Sequence, residues 1–347
     1  MQGEPTTDAS GSPAASHVRS VQRRRVGAPV AFYGATAFLV VSIVFLLPRA
    51  MPGDPLLARV DSSDTLFVID DEGRDRFRAY YGLDEPLLAQ YRNYLGSIAR
   101  GDLGWSIGRS APVRELIAAH LPWTLLLVGT ALALSALIGF FAGIAAAWRR
   151  GRAGDRLLLV TLTGTRAMPE YVLGTLLLIL LAVVVPAFPL AGARTPFAVH
   201  ESAVAEVIDV AYHLVLPATA LTLGLLGGKF LLVRNTAISA LGQDYMELAR
   251  AKGLPERLLK YRHAGRNALL PFLTVLGIQT GFAVGGAVFV ETIFGYPGMG
   301  TLILRALDER DYPVLEGSFL VLAGCVLLVN LAVDLTYGRL DPRARAS

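Results

Sequence analysis

Charged residues inside long apolar runs are the first candidates for chemistry, because an ionisable group is costly there and tends to be retained for a task. Arg166 and Glu170 lie four residues apart in the run from Leu157 to Pro186, a spacing at which side chains on one helix can pair. Pro169 lies between them and is expected to weaken or kink that helix. The two residues are predicted either as a structural ion pair or as a polar wall of a solute pathway. Asp334, near the end of the last apolar run, is expected to meet water or Arg339 at the cytoplasmic interface.

Patterns for catalysis, nucleotide binding or metal binding are all incomplete. The sequence GLLGGKF at Gly224–Phe230 comes nearest to a phosphate-binding loop, but Leu223 stands where the first glycine belongs and Phe230 where Ser or Thr would bind magnesium. The five histidines do not fall at zinc-ligand spacing, and HExxH does not occur. The single cysteine, Cys325, excludes a disulfide framework. We therefore expect no catalytic residue, no bound metal and no cofactor.

The polar stretch 234–268 is unusual because it contains two amphipathic pieces, DYMELARAKG and LPERLLKYRHAGRNALLP. Gly253 is expected to end a first short helix, and Pro255 suits the first turn of a second one. Leu254, Leu258 and Leu259 would form an apolar edge beside basic neighbours. Composition alone favours a loop that lies on a membrane surface.

The composition makes lipid the expected solvent for most of the chain. Of 347 residues, 53% are hydrophobic and 17% are charged, with a mean hydropathy of +0.50. A helix needs ~20 apolar residues to cross a bilayer, and runs of that length are too long for the strands of a membrane barrel. The predicted fold is an all-α membrane protein with six transmembrane helices, at Ala28–Leu47, Leu121–Ala147, Leu157–Pro186, His213–Val233, Leu269–Ile293 and Val314–Leu335.

The distribution of basic residues predicts the orientation of these spans. Arginine and lysine are concentrated in the loop WRRGRAGDR, in the stretch 234–268 and at the C-terminus, which places these segments and both termini in the cytoplasm. The charges are dispersed rather than gathered in one patch, so no nucleic-acid partner is expected. The predicted organisation is a disordered cytoplasmic tail (1–27), an uncleaved first helix (28–47), an extracytoplasmic segment (48–120), a five-helix core (121–338) and a cytoplasmic C-terminus (339–347).

Small residues recur at four-residue spacing in three of the spans. This pattern indicates either close packing of helices within the chain or dimerisation with a second membrane protein. The residues concerned are Gly139 and Gly143, Gly224 and Gly228, and Gly277, Gly281 and Gly285.

One segment of the stretch 234–268 resembles a known motif. Glu247, Leu248 and Ala249, followed by Gly253, are similar to the EAA loop of ABC importer permeases, with leucine in place of the first alanine of the triplet. In that family the loop forms coupling helices that dock into a groove of a separate ATP-binding subunit. The variant ARAKG, followed by RHAGRNALLP, resembles the dipeptide, oligopeptide and nickel branch of the family.

The resemblance extends over nearly the whole chain beyond the tail. The early segments PGDP and YGLDEP are similar to the first of the two non-identical permeases that such systems use. The matching segments are Pro52–Pro55, Tyr81–Pro86, Gly101–Ile107, Leu121–Leu125, Glu291–Gly300, Asp311–Gly317 and Leu328–Arg343.

The resemblance implies a type I ABC importer permease fold in the cytoplasmic membrane and a set of partners. These are a second homologous permease, two ATP-binding subunits that hydrolyse ATP, an extracytoplasmic solute-binding protein and membrane lipid. The implied coupling residues are Asp244, Tyr245, Glu247, Ala249, Ala251, Lys252, Gly253, Arg262 and His263. The segment after the fifth span is implied to contact the binding protein or the partner permease, or to form a structural turn, through Glu291, Gly295, Pro297 and Gly298.

The expected function is import of di- or oligopeptides by alternating access, with the chain itself not an enzyme. Nickel, glutathione and short oligosaccharides are open alternatives, because the same permease branch resembles all of these systems. A membrane receptor or scaffold is the alternative from a different class, but it would not need a coupling loop.

Overall fold

The computed structural model describes residues 32–46, 49, 85–106 and 108–340, and this part of the chain is almost entirely helical. The predicted tail (1–27), the PGDP segment and residues 341–347 lie outside the described residues. The α-helices are α1 (Phe32–Leu46), α2 (Leu87–Ala99), α3 (Val113–Trp148), α4 (Ala153–Arg166), α5 (Glu170–Leu178), α6 (Ala203–Leu241), α7 (Asp244–Ala251), α8 (Glu256–Leu258), α9 (Gly265–Ile293), α10 (Met299–Asp308) and α11 (Tyr312–Leu340). A π-helical turn extends α5 over Ile179–Val184, and another joins α8 to α9 over Leu259–Ala264.

Four helical units of the described chain are long and apolar enough to cross a membrane. They are Val113–Trp148, Ala203–Leu241, Glu256–Ile293 and Tyr312–Thr336, and they contain the second, fourth, fifth and sixth predicted spans. The third predicted span is not one helix: α4 and the unit Glu170–Val184 form a pair bent by 102°. The described part of the first predicted span is α1, which is apolar. The described residues therefore contain four of the six predicted spans as continuous helices, the third as a bent pair and part of the first as α1.

Proline explains where the third span breaks. Pro169 has no amide hydrogen, and its ring disfavours helical geometry for the residue before it. The end of α4 closes instead with a tight turn, in which the amides of Ala167 and Met168 donate to the carbonyls of Gly164 and Thr165. The carbonyl of Pro169 then accepts the first bonds of α5. The kink expected from the sequence is in fact a complete interruption.

Helix α6 is the centre of the bundle and packs against α3, α4, α5 and α9. Glycine permits the closest approach: a Cβ atom on Gly143 of α3 would lie 2.8 Å from the Cβ of Val233. On the other side of α6, a Cβ on Gly227 would lie 2.4 Å from the carbonyl oxygen of Leu162 in α4. Gly285 of α9, in contrast, has no described atom within 4 Å of such a Cβ. Packing within the chain thus explains Gly143, and dimerisation stays a prediction for Gly285.

A buried ion pair ties α4 to α6 at the end opposite the break. The guanidinium of Arg234 donates to both oxygens of Asp155, at 2.7 and 2.8 Å, and the amide of Gly151 donates to the same carboxylate. Such bidentate pairs are geometrically specific and comparatively strong. Arg234 was expected in the cytoplasmic loop, but α6 continues to Leu241 and so includes it.

Two polar pairs join α1 to the last helix, α11. The hydroxyl of Tyr33 donates to Asp334 at 2.5 Å, and the aspartate is exposed, so its contact with the first helix adds to the expected contact with water or Arg339, which stays a prediction. Beyond the other end of α1, Arg49 pairs with Glu316 at 2.5 Å and lies over the ring of Phe45. The two helices are therefore antiparallel neighbours.

Candidate functional site

Helix α7 contains the residues that resemble the EAA loop, and it is amphipathic in the structure. Met246 and Ala249, three residues apart, are buried on one side, where they form a cluster with Leu259 of the π-helical turn. Trp148, Leu241 and Leu254 pack around this cluster. These contacts hold α7 against the ends of the long helices α3 and α6.

Gly253 ends α7 in a Schellman motif. Its φ of +73° lies in the left-handed region, where a residue without a Cβ pays no steric penalty. The Gly253 amide donates to the carbonyl of Arg250, and the Leu254 amide donates to that of Ala249, as the motif requires. The side chain of Leu254 then reaches the apolar cluster beneath α7. The sequence-based prediction that Gly253 ends the helix is confirmed by this geometry.

The opposite side of α7 is exposed and contains most of the predicted coupling residues. Leu248 is also on this side with 58% of its surface exposed, which leaves an apolar side chain among charged ones. Ala249 differs from the rest because it is buried and packs inward. The exposed residues are Asp244, Tyr245, Glu247, Leu248, Arg250, Ala251, Lys252 and Gly253.

Arg262 and His263 follow α7 in the chain, but they do not lie on a separate short helix. Both lie in the π-helical turn that continues directly into α9, so the second short helix expected in the loop is the first part of the fifth span. Arg262 is exposed and His263 is half-buried. A hydrogen bond at 2.5 Å from the side-chain amide of Asn267 to the hydroxyl of Tyr245 ties α7 to α9. Partial burial raises the pKa of Tyr245, and this hydrogen bond opposes the shift.

Arg166 and Glu170 lie on either side of the interruption in the third span. Arg166 is exposed at the end of α4, and Glu170 is half-buried at the start of α5. The Glu170 side chain lies against α6, where its Cγ would be 2.5 Å from a Cβ on Gly224. Among the described residues neither side chain has an ion-pair partner within 4.0 Å. The bend therefore separates the two side chains that the four-residue spacing would have paired.

The predicted outer segment is a buried turn around Glu291. Its carboxylate accepts a hydrogen bond from the Thr124 hydroxyl at 2.6 Å and another from the amide of Gly300 at 2.6 Å. Gly300 lies in the first turn of α10, so Glu291 occupies the place where a helix N-terminus favours an anion. The close approach requires glycine at position 298, since a Cβ there would lie 2.3 Å from the carboxyl carbon of Glu291.

Burial divides the residues predicted for this outer segment. Glu291 and Gly298 are buried within the chain, which supports the structural turn for these two. Gly295 is exposed with a φ of +54°, Pro297 is half-buried, and an outer contact through them stays a prediction. Burial raises the pKa of Tyr296 between them, and the nearby Glu291 carboxylate acts in the same direction.

Two buried polar contacts were not predicted. Lys229 of α6 is completely buried, and its ammonium donates to the hydroxyl of Ser135 in α3 at 2.9 Å. The available signal in the sequence is an ionisable residue inside a predicted span. Asp311 accepts from the Ser106 hydroxyl at 2.5 Å and from the Gly108 amide at 2.9 Å, which joins two segments about 200 residues apart. Sequence spacing alone gives no signal for such a long-range pair.

Comparison with solved structures identifies the fold. A structure of the MetNI methionine ABC transporter in an inward-facing conformation matches with a TM-score of 0.53 and 16% identity, over 66% of this chain and 97% of the other. Together with the helical architecture, this similarity shows the all-α permease fold of type I ABC importers.

Sequence comparison gives the family. A family model described as "Binding-protein-dependent transport system inner membrane component" matches residues 139–346. The oligopeptide transport system permease protein AppB of Bacillus subtilis is 35% identical over 88% of this chain and 93% of its own length. The di/tripeptide transport system permease protein DppB of Pseudomonas aeruginosa is 34% identical, and the glutathione transport system permease protein GsiC of Escherichia coli is 33% identical, each over 89% of this chain and 95% of its own length. The chain therefore belongs to the family of inner membrane components of binding-protein-dependent transport systems.

Proposed function

We propose that the chain is the permease subunit of an ATP-driven importer that moves di- or oligopeptides across the cytoplasmic membrane. The observation that carries this proposal is the form of α7, a short helix with one side fixed to the spans and the other side exposed. The similarity to permeases named for oligopeptide and di/tripeptide transport supports peptides as the solute. The pattern of basic residues supports an orientation with α7 and both termini in the cytoplasm.

The proposed mechanism is alternating access driven by partner subunits. A binding protein delivers the peptide to the outer side, and ATP binding at two separate subunits moves α7 of this chain and the equivalent helix of a second permease. The ATP-binding subunits can shift the equilibrium between two conformations of the permease only if their contacts with the permease differ between those conformations. The residues proposed to make these contacts are Asp244, Tyr245, Glu247, Ala251, Lys252, Arg262 and His263, with Ala249 and Gly253 fixing the helix that carries them.

The interruption between α4 and α5 is proposed as part of the peptide's path. Arg166 and Glu170 supply charge at a point where the backbone is not helical, and irregular backbone within a membrane is stable only inside protein or beside water. On the outer side, the exposed Gly295 and the half-buried Pro297 are the positions proposed to face the binding protein or the partner permease.

Glutathione is a second candidate solute, because the GsiC relatives are about as similar to this chain as the peptide permeases. It is itself a tripeptide in which one link is an isopeptide bond. Ordinary peptides and glutathione therefore belong to the same class of solute and differ only in the chemistry of the backbone.

The test measures uptake of labelled dialanine, trialanine, glutathione and nickel by cells with the gene intact, deleted, or replaced by Glu247→Ala or Gly253→Val. Loss of uptake of dialanine or trialanine in all altered strains, with nickel unaffected, supports the proposal. Loss of glutathione uptake alone supports the second candidate. Uptake unchanged for every solute in the deletion strain excludes all of them as substrates of this permease. Purified complexes from the Glu247→Ala strain show whether the ATP-binding subunit is still bound.

A further inference from the structure

The depth of Arg166 in the membrane can be worked out from the contacts between α4 and α6. The end of α4 is fixed to α6 at Leu223, whose carbonyl accepts a hydrogen bond from the Thr165 hydroxyl at 3.1 Å. The other end of α4 is fixed to α6 at Arg234 by the pair with Asp155. Leu223 and Arg234 are 11 residues apart, or about 16 Å along a helix that rises 1.5 Å per residue. The basic loop before α4 implies that Arg234 lies at the cytoplasmic edge of the span. Measured from there, this distance is about half of the ~30 Å hydrocarbon thickness, which places the start of the Arg166 side chain near mid-membrane.

The charge of Arg166 is not neutralised within the described chain. Glu170 is its nearest acidic residue in sequence, but that side chain lies against Gly224 of α6 and Gly286 of α9. No carboxylate of the described residues is within 4.0 Å of the guanidinium, which is exposed on the surface of the chain. An unpaired arginine at the centre of a lipid-facing helix is costly, so such a residue is expected to face the interior of a bundle or a water-filled cavity instead.

The backbone beside Arg166 also favours water over lipid. Residues Ala167, Met168 and Pro169 are exposed and lie between two helices bent by 102°. The amides of Ala167 and Met168 are paired within the turn, so only its carbonyl groups call for a donor, which water supplies and lipid does not. On the side of α4 that faces α6, a Cβ on Gly227 would lie 3.1 Å from the Cβ of Arg166, so the two helices are in close contact beside the turn.

We propose that Arg166 is a binding residue on the solute path, where its guanidinium pairs with a carboxylate of the passing solute. This inference rests on the proposed function, because the free C-terminus of a peptide supplies that carboxylate. An arginine presents a planar set of donors that matches a carboxylate in a bidentate geometry, which a lysine does not reproduce. The contact needs only to be brief, since a strong site would hold the peptide in the membrane.

Water access to position 166 is the first arm of the test. Cys325 is replaced by serine in the full chain, and a single cysteine is introduced as Arg166→Cys or, as a matched control, Val160→Cys on the same helix. Val160 is apolar and 70% exposed, so it is expected to face lipid. In the assembled transporter, a charged, membrane-impermeant methanethiosulfonate is expected to label position 166 at least tenfold faster than position 160. Equal rates, or no labelling at 166, would overturn the inference.

Uptake of labelled dialanine by the complete transporter in proteoliposomes is the second arm. With the peptide-loaded binding protein saturating, Arg166→Gln is expected to lower the uptake rate about tenfold or more, as loss of a charge-assisted hydrogen bond predicts. Arg166→Lys should retain an intermediate rate, and Arg156→Gln, which removes an exposed arginine from the cytoplasmic end of α4, should not change it. Normal uptake by Arg166→Gln would contradict the inference, and so would loss of the second permease from the purified complex, which would place the partner carboxylate in that subunit. No dialanine uptake by the unchanged chain would contradict the proposed function instead, and the labelling rates would still decide whether Arg166 faces water.

Discussion

Replacing Gly253 by valine should uncouple ATP hydrolysis from transport, because the residue holds a left-handed backbone at the end of α7. No described atom lies within 4 Å of a Cβ built at this position, so a new side chain has room and the cost is conformational. For an L-residue this conformation costs about 1–2 kcal/mol, and β-branched side chains are among the least suited to it. A change of that size shifts an equilibrium by roughly 5- to 30-fold.

The equilibrium concerned is between an intact and a frayed end of α7. Fraying breaks the hydrogen bonds that the backbone amides of Gly253 and Leu254 donate, and it withdraws the Leu254 side chain from the cluster around Met246. The exposed face of α7 would then move without the spans. Asparagine is the matched control, because it enters the left-handed region several times more readily than other residues with a Cβ.

The assay compares Gly253→Val and Gly253→Asn in proteoliposomes that contain equal amounts of assembled transporter. We expect valine to reduce uptake by up to the 5- to 30-fold factor above while ATP hydrolysis falls much less, and asparagine to retain most of the uptake. Hydrogen exchange at the amides of residues 253 and 254 should be faster in the valine variant. Normal uptake by Gly253→Val, with these amides still protected, would refute the reasoning.

Three further changes test the packing that supports the site. Glu291→Ala leaves buried donors at the start of α10 unpaired and should destabilise the purified chain by about 1–3 kcal/mol, seen as a lower thermal midpoint in detergent; an unchanged midpoint would contradict the role as a helix cap. Asp155→Asn removes the charge that pairs with Arg234 and should lower the free energy of unfolding by a similar amount, again seen as a lower thermal midpoint. The same midpoint as wild type would show that the pair contributes nothing. Gly227→Ala places a methyl group 2.4 Å from a backbone oxygen and should reduce the amount of folded chain in the membrane severalfold, while Gly129→Ala, where no described atom lies within 4 Å, should not. Equal membrane levels of the two alanine variants would argue against the close helix contact.

Local chemistry explains which features were predictable from the sequence. Gly253 was expected to end a helix because glycine adopts a left-handed backbone without strain, and its φ is +73°. The apolar runs predicted the positions of four continuous spans, because a helix of ~20 apolar residues matches the thickness of the hydrocarbon core of a bilayer. Pro169 was expected to kink the third span, but whether proline kinks or interrupts a helix depends on the packing of its neighbours. Here the contact between α4 and α6 at Gly227 fixes the end of α4.

Long-range contacts explain what the sequence could not predict. Glu291 matches an outer segment by resemblance, yet its carboxylate is buried because Thr124 and the start of α10 both donate to it. Lys229 appeared as part of an incomplete phosphate loop, while its partner Ser135 is 94 residues earlier in the chain. Such pairs depend on which faces of two helices meet, and periodicity within one helix contains no information about the other.

The pairs between α1 and α11 have a consequence for the order in which the protein assembles. Tyr33 and Asp334 are 301 residues apart, and Arg49 and Glu316 are 267 residues apart. At a synthesis rate of about 5–20 residues per second, the ribosome reaches Glu316 roughly tens of seconds after Arg49. During that interval the first helix is already available for insertion, but its arginine has no glutamate to pair with. The first helix made is therefore among the last to reach its final contacts, and a chain truncated before α11 would leave both Tyr33 and Arg49 without these partners.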